Sequence, residues 1–134
     1  MKHQSLDDES RRAIVKYKLQ RADETLSDAE LLFDAGRYNS AANRLYYACY
    51  YAVEASLVAI GVQTATHAGV KQMFGLKYIM ANKIDAYWGK FYSDMFNIRQ
   101  EGDYGDFEYY GQEDILPLIK RTHEFIALIK QTIS

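Results

Sequence analysis

The chain has 134 residues, of which 49% are hydrophobic and 25% are charged, and its formal net charge is −2. This length corresponds to one domain, residues 1–134, with a single continuous core. The charge excludes a global basic field of the kind that drives non-specific nucleic-acid binding. One proline, no alternating runs of β-branched residues and no Asn-Gly hairpin signal together predict an all-α fold. The N-terminus lacks the apolar stretch of a signal peptide, so a cytoplasmic location is expected.

The first predicted helix begins between Asp8 and Ser10 and runs to about Asp34. Its apolar residues recur at three- and four-residue spacings, which is the helical period. Acidic residues lie at the positive end of its dipole, and Gly36 is expected to end it. The preceding segment, residues 1–8, is polar and is expected to be loosely ordered.

A central helix is predicted within the stretch Arg37–Gly61, where the final glycine provides a left-handed C-terminal cap. Asn39 or Ser40 is the expected N-cap. Between these ends the only charged residues are Arg44 and Glu54, so most of the circumference is apolar and other helices should surround it. About 20 residues is long enough to span a bilayer. The four tyrosines at positions 46, 47, 50 and 51 and the two charges argue against a membrane, and a core helix is predicted instead.

Further along the chain the helical pattern continues with one interruption. A stretch with three glycines, four acids and no basic residue predicts a loop before the last helix. The architecture is therefore an antiparallel up-down bundle of four to five helices. The remaining predicted segments are a helix over His67–Met80 capped by Thr64 or Thr66, a helix over Ile84–Gln100, the loop Glu101–Gly111, and a helix from Gln112–Asp114 to the C-terminus.

Two groups of residues carry candidate binding chemistry. Arg44, Tyr47 and Tyr51 recur at i, i+3 and i+7 on the central helix, and Arg99 lies near Tyr104. An arginine can present a bidentate fork to a phosphate while neighbouring aromatic rings stack on a base. The alternative for both groups is packing and ion pairing on helix surfaces.

No catalytic constellation follows from residue spacing alone. His67 is expected at a helix start, where a local hydrogen bond is the ordinary role. Asp103, Asp106 and Glu108 could gather around a divalent cation, but a solvated acidic turn is commoner, and Asp103 could instead pair with Arg99. The histidines and the single cysteine show no metal-ligand spacing. We therefore predict no metal and no cofactor.

Three motifs in order resemble those of the HEPN family, over about residues 21–129. They are the stretch Gly36–Ala55, the sequence Thr-His-Ala-Gly-Val at 66–70, and the sequence Arg-Gln-Glu-Gly-Asp-Tyr at 99–104. The chain is most similar to small single-domain prokaryotic members. The resemblance implies a helical bundle that forms a homodimer and is encoded beside a minimal nucleotidyltransferase, in some cases as a toxin–antitoxin pair.

The toxic HEPN proteins are metal-independent ribonucleases with an Arg-x(4–6)-His motif, and here the match is incomplete. Arg99 matches the arginine, but the positions four to six residues later are Asp103, Tyr104 and Gly105. Neither aspartate nor tyrosine is a good substitute for histidine as a general acid–base near neutral pH. In some family pairs the nucleotidyltransferase adds AMP to a tyrosine near this motif, so the resemblance makes Tyr104 a modification candidate.

The resulting expectation is a HEPN module, more a binding protein than an enzyme. It would bind a nucleotide, RNA or the partner nucleotidyltransferase, and the residues expected to form this site are Arg99, Asp103, Tyr104, Arg44, Tyr47 and His67. The first alternative is an active endoribonuclease toxin with Arg99 and His67 as its catalytic candidates. The second is a structural dimerisation domain.

Overall fold

The computed structural model describes residues 7–104 and 110–134, apart from the side chains of residues 99–104. Within this part of the chain the structure is helical and contains no strand, which confirms the all-α prediction. The elements are α1 (Asp8–Asp34), α2 (Tyr38–Ala59), α3 (His67–Phe74), a π-helical turn (Gly75–Ile79), α4 (Ala86–Tyr104) and α5 (Gln112–Ile133).

Helix α2 is the centre of the bundle, as predicted from its apolar circumference. It contacts α1, α3, α4 and α5. Its small residues, such as Ala48 and Ala52, are fully buried and allow the neighbouring helices to approach closely. The large core side chains packed around it include Leu45, Tyr46, Phe74, Phe91, Met95 and Phe125. None of the helices in the described ranges is both long and apolar enough to cross a bilayer.

Helices α1 and α2 both end in Schellman motifs, as their glycines predicted. Gly61 has φ +77°, and its N–H donates to the Val58 carbonyl while the Val62 N–H reaches back to Leu57. Gly36, with φ +76°, ends α1 with the same pair of backbone hydrogen bonds. The tight turn after α1 returns the chain as α2, and a partly buried Lys18–Glu54 ion pair of 3.1 Å joins the two helices.

The predicted N-cap of α2 is wrong. Helix α2 begins at Tyr38 without any side-chain cap. Asn39 Oδ1 instead accepts a hydrogen bond of 2.9 Å from the Tyr110 N–H, because the chain approaches this point before α5. Helix α1 begins at Asp8, within the range predicted for it, and the Asp7 side chain caps it by accepting a hydrogen bond from the Ser10 N–H. Residues 1–6 lie outside the described part.

The boundaries around α3 and α4 also differ from those predicted. The helix expected over residues 67–80 changes to a π-helical turn at Gly75, and the chain then turns at Asn82, which has φ +60°. Helix α4 continues to Tyr104, so residues 101–104, predicted as loop, are helical. A single glycine such as Gly102 costs a helix only about 1 kcal/mol, which the continuing helix can offset. Residues 105–109, including Asp106, lie outside the description.

Candidate functional site

His67 is the first residue of α3, and the local sequence determines its position. Thr66 is the N-cap, and its Oγ1 accepts a hydrogen bond of 2.9 Å from the Gly69 N–H. This cap confirms one of the two predicted alternatives and fixes the start of α3 against the side of α2. The imidazole therefore lies among the tyrosines of α2.

These residues form the tyrosine–histidine cluster, which we define as Tyr46, Tyr47, Tyr50 and His67. The imidazole stacks on the Tyr50 ring, with centroids 4.1 Å apart and planes 10° from parallel. The Tyr47 ring meets it edge-on at 5.6 Å. A 2.8 Å hydrogen bond joins the Tyr46 hydroxyl to His67 Nδ1. His67 therefore makes long-range contacts with α2, which its position in the first turn of α3 did not predict.

The hydrogen bond between Tyr46 and His67 orients the imidazole ring. Tyr46 is fully buried, whereas His67 is half-buried. In the neutral imidazole protonated at Nε2, the Tyr46 hydroxyl donates to Nδ1; in the charged imidazolium, Nδ1 donates to the hydroxyl oxygen. The ring orientation is thus the same in both protonation states, which suits either a binding contact or proton transfer.

Tyr50 remains a neutral phenol in this environment. Burial raises the pKa of Tyr50 well above its ordinary value of 10.0, and the nearby Glu54 carboxylate raises it further. The Lys18 ammonium pairs with Glu54, so the charge beneath the cluster is compensated. Tyr50 therefore presents an uncharged aromatic face to the imidazole.

Beside the cluster lies the guanidinium–tyrosine row, which we define as Arg44, Tyr47, Tyr51 and Arg21. The Arg44 guanidinium carbon lies 4.9 Å from the Tyr47 ring centroid, and the Tyr47 and Tyr51 centroids are 6.3 Å apart. Arg21 of α1 covers Tyr51 at 5.2 Å. The predicted i, i+3, i+7 alignment on α2 is therefore a continuous surface. The contribution of Arg21 was not predicted, because sequence spacing within one helix does not show how α1 and α2 align.

Arg44 is held in place by its neighbour on α2. Its Nε and one terminal nitrogen donate to the Asn43 side-chain oxygen at 3.2 and 2.9 Å. Since a guanidinium carries five N–H donors, this pairing uses only part of its donor capacity. Arg44 can therefore be positioned and still present donors to an anionic ligand.

Three of the predicted site residues, Arg99, Asp103 and Tyr104, belong to the last turns of α4. Their side chains lie outside the described residues, so only the course of the backbone bears on them. Helix α4 runs antiparallel to α2: Tyr78, shortly before it, donates to the Ser56 carbonyl near the end of α2, and Phe96 packs 6.3 Å from Tyr46. The backbone after Phe96 thus leads towards the N-terminal part of α2, which carries Arg44.

The remaining candidate groups show no catalytic arrangement in the described ranges. There, no three His, Cys, Asp or Glu residues are close enough together to hold a metal ion, and the acidic side chains of residues 101–108 are outside those ranges. His123 faces Glu30 at 3.1 Å on the outer surface of α5. Cys49 is fully buried, and burial raises the pKa of its thiol to about 12, so it is an inert core residue.

Comparison with known proteins agrees with this architecture. A family model described as the HEPN domain matches residues 15–132. A UPF0332 protein of Thermotoga maritima is 38% identical over 120 residues, covering 90% of this chain and 91% of the relative. A Methanocaldococcus jannaschii protein named "Putative toxin MJ0605" is 30% identical, covering 84% of this chain and 83% of the relative. A second protein of that organism, "Putative toxin MJ0142", is 27% identical over 113 residues, covering 84% of this chain and 77% of the relative. Since the match extends over almost all of the described helices, the chain belongs to the HEPN domain family.

Proposed function

We propose that this HEPN protein binds a nucleotide or RNA on the tyrosine–histidine cluster and the adjoining guanidinium–tyrosine row. The observation that carries the proposal is the convergence of Arg44, Tyr47 and His67. These residues come from two different helices, and all three are among the ligand-binding residues that the sequence predicts. Tyr47 contacts both of the others.

The surface has the two features that single-stranded nucleic acids require. Half-buried tyrosine rings offer faces on which bases stack, and each such stack is worth about 1–3 kcal/mol. Two guanidinium groups, one at each end of the row, can bind phosphate oxygens. The nearby Glu54 carboxylate is paired with Lys18, which reduces the repulsion that a phosphate would otherwise meet. Glu24 pairs with Arg21 and offsets part of its charge, so Arg44 is the stronger phosphate-binding group of the two.

We further propose that the protein is one component of a toxin–antitoxin-like pair with a minimal nucleotidyltransferase. The names of the two Methanocaldococcus relatives support a toxin-like role. In this proposal the protein is a cytoplasmic homodimer, and Arg99 and Asp103 complete the ligand site from α4. Tyr104 is the residue to which the partner transfers AMP.

An endoribonuclease is the second candidate, and the orientation of His67 is what favours it. An acid–base histidine must be held by a second group and remain accessible to substrate. Tyr46 holds the imidazole, and the ring is half-buried rather than enclosed. In this alternative His67 replaces the histidine that the Arg-x(4–6)-His motif lacks, and Arg99 stabilises the charge that develops on phosphate.

A binding titration tests the first proposal. The probe is a fluorescently labelled single-stranded oligoribonucleotide, with AMP as competitor, and the readout is fluorescence anisotropy. Tyr47→Ala should weaken binding by about 5- to 100-fold, as expected for the loss of one base stack, while Tyr47→Phe should keep the affinity. Tyr87→Ala, which removes an exposed tyrosine of α4, is the matched control. Equal affinities for the Ala and Phe variants at residue 47 would refute a stacking site.

Arginine variants and a cleavage assay separate the two candidates. Arg44→Ala should weaken RNA binding, whereas Arg12→Ala, at an exposed position of α1, should not. In a gel assay with the same oligonucleotide and EDTA present, a ribonuclease should lose turnover in both His67→Ala and Arg99→Ala. A binding protein should show no cleavage in any variant. If the parent protein cleaves the oligonucleotide and either substitution abolishes that cleavage, the protein is a ribonuclease.

The partner proposal needs a separate measurement. The protein is co-expressed with the minimal nucleotidyltransferase of the same genome. It is purified through a tag on one of the two chains, and the intact mass of the HEPN protein is then determined. Co-purification together with an AMP-sized mass increase that disappears in Tyr104→Phe is the expected result. If the two chains do not co-purify and the mass is unchanged, the pairing is refuted, while the binding titration stands independently.

A further inference from the structure

A second concave surface lies between α3 with its π-helical turn and the first half of α4. The volume of this α3–α4 groove is about 580 Å³, which lies within the range of roughly 300–1,000 Å³ found for ligand sites. Its walls are mainly apolar and include Ile79 and Phe96. Leu76 and Met80 at its edge are 45% and 72% exposed, although both are large apolar side chains. Exposed apolar side chains around a concavity are typical of an interaction site.

Two glycines determine the shape of the groove. A Cβ atom at Gly89 would lie 3.0 Å from the Ile79 side chain, so glycine allows α4 to pack directly against the π-helical turn. A Cβ atom at Gly75 would meet nothing within 4 Å, and the backbone there is right-handed helical. π-Helical turns are rare and occur frequently at functional sites. The close packing of Gly89 against Ile79 therefore forms the base of the groove, and Gly75 leaves space for a side chain on its wall.

The charge around the groove is opposite to that of the whole protein. Residues 67–96, the range that contains the groove lining, include four lysines and two aspartates, although the chain as a whole has a net charge of −2. Lys71 and Lys90 line the groove on its two walls. The Lys71 ammonium lies 5.2 Å from the Phe96 ring centroid, and Lys90 pairs with the half-exposed Asp94 at 3.2 Å. An occupant with acidic groups beside apolar ones would satisfy both parts of this surface.

From these features we propose that the α3–α4 groove docks an acidic amphipathic helix of a partner protein. A groove between two helices receives a third helix through apolar side chains spaced at i, i+3 or i+4, and i+7. Glutamates or aspartates flanking those side chains would meet Lys71 and Lys90. A nucleic acid would engage the lysines but leave Leu76 and Met80 in water, so it fits only half of the surface.

The proposal is independent of RNA binding, because Arg44, Tyr47 and Tyr51 do not line the groove. It can therefore fail while the first proposal holds, and the reverse is also possible. The test uses three labelled 18-residue peptides. One has leucines at i, i+3, i+4 and i+7 with glutamates elsewhere, the second has lysines in place of the glutamates, and the third is a scramble of the first.

Binding of each peptide is measured by fluorescence anisotropy on the full chain and its variants. The glutamate peptide should bind at least 10-fold more tightly than the other two. Gly75→Trp places a large side chain in the groove without backbone strain. It should weaken binding of the glutamate peptide at least 10-fold and leave RNA binding unchanged. The double variant Lys71→Glu with Lys90→Glu should reverse the preference towards the lysine peptide. Lys16→Glu on α1, an exposed lysine remote from the groove, is the control and should have no effect.

Three outcomes would overturn the proposal. The first is a failure of the peptide assay: the glutamate peptide and its scramble bind equally well, or Gly75→Trp binds the glutamate peptide as tightly as the parent protein does. The second is a change of sedimentation-derived mass in the groove variants alone, which would show that a second copy of the chain covers the groove. The third is binding of dodecanoate, below its micellar concentration, at the groove with no binding of the glutamate peptide, which would identify a small anionic amphiphile as the occupant.

Discussion

Replacing Tyr46 with phenylalanine removes a single oxygen atom from the centre of the tyrosine–histidine cluster. The ring itself is fully buried and packs against Tyr50, Tyr92 and Phe96. A phenylalanine ring keeps these contacts, so no cavity contributes to the change. The substitution removes the 2.8 Å hydrogen bond with His67 Nδ1 and the interaction of the hydroxyl with the neighbouring Tyr92 side chain.

The expected cost can be worked out from the burial of the two partners. A typical intramolecular hydrogen bond contributes about 0.5–1.5 kcal/mol to stability, and leaving a buried partner unsatisfied adds to that. Since His67 is half-buried, water can reach part of the imidazole, and we expect the free energy of unfolding to fall by about 1–1.5 kcal/mol. For a chain of 134 residues this corresponds to a decrease of roughly 3–7 °C in Tm.

The assay is urea unfolding followed by circular dichroism, with a double-mutant cycle to isolate the pair. Tyr46→Phe and His67→Ala should be non-additive by about 1 kcal/mol, because either change removes the same hydrogen bond. Tyr78→Phe is a matched control, since the Tyr78 hydroxyl donates a 2.6 Å hydrogen bond to a different acceptor, the Ser56 carbonyl. It should be destabilising but additive with His67→Ala.

Two results would refute this reasoning. One is a Tyr46→Phe protein within about 0.3 kcal/mol of the parent, the scale of additivity errors. The other is strict additivity of Tyr46→Phe and His67→Ala, which would mean that the hydroxyl and the imidazole do not stabilise each other. Either result would also remove the argument that Tyr46 orients His67 for binding or catalysis.

Three further predictions concern the core, a helix end and the response to pH. Phe125→Ala should destabilise the protein by about 3–5 kcal/mol in urea unfolding, because its buried ring packs against Phe74 and Phe91; a cost below 2 kcal/mol would contradict the described core. Gly61→Ala should lower the free energy of unfolding by about 1–2 kcal/mol, since φ is +77° at this residue; an unchanged urea midpoint would argue against the left-handed cap. Burial raises the pKa of Cys49 from 9.0 to about 12, so the native state keeps a proton that the unfolded chain loses, and stability should fall between pH 9 and 12. Unfolding measured at pH 8, 9.5 and 10.5 should show a slope from this residue of up to about 1.4 kcal/mol per pH unit, and Cys49→Ala should lack that part of the slope.

The features that could be predicted from the sequence are those determined within a few residues. The ends of α1 and α2 follow from Gly36 and Gly61, because left-handed backbone at a helix end favours glycine whatever surrounds it. The start of α3 follows from Thr66 for the same local reason. The central position of α2 follows from its composition, since an apolar circumference must be covered on all sides.

The features that could not be predicted depend on how separate segments meet. Asn39 has the residue type of an N-cap, yet its side chain bonds to Tyr110, which is 71 positions away. Arg21 joins the guanidinium–tyrosine row only because of the alignment between α1 and α2. The extension of α4 to Tyr104 shows tertiary context outweighing the low helix propensity of glycine. Spacing along one helix identified Arg44, Tyr47 and Tyr51, whereas the approach of His67 required the fold.

Helix α3 belongs to both surfaces. His67 at its start stacks in the tyrosine–histidine cluster, and Lys71 and Phe74 one and two turns later line the α3–α4 groove. Eight residues span only about 12 Å. A helix this short moves as one body, so a displacement at one end also displaces the other. If RNA shifts His67 when it binds, it also shifts Lys71 and Phe74 in the groove. Thermodynamic linkage then requires that the factor by which RNA changes the affinity for a docked helix equals the factor by which the helix changes the affinity for RNA.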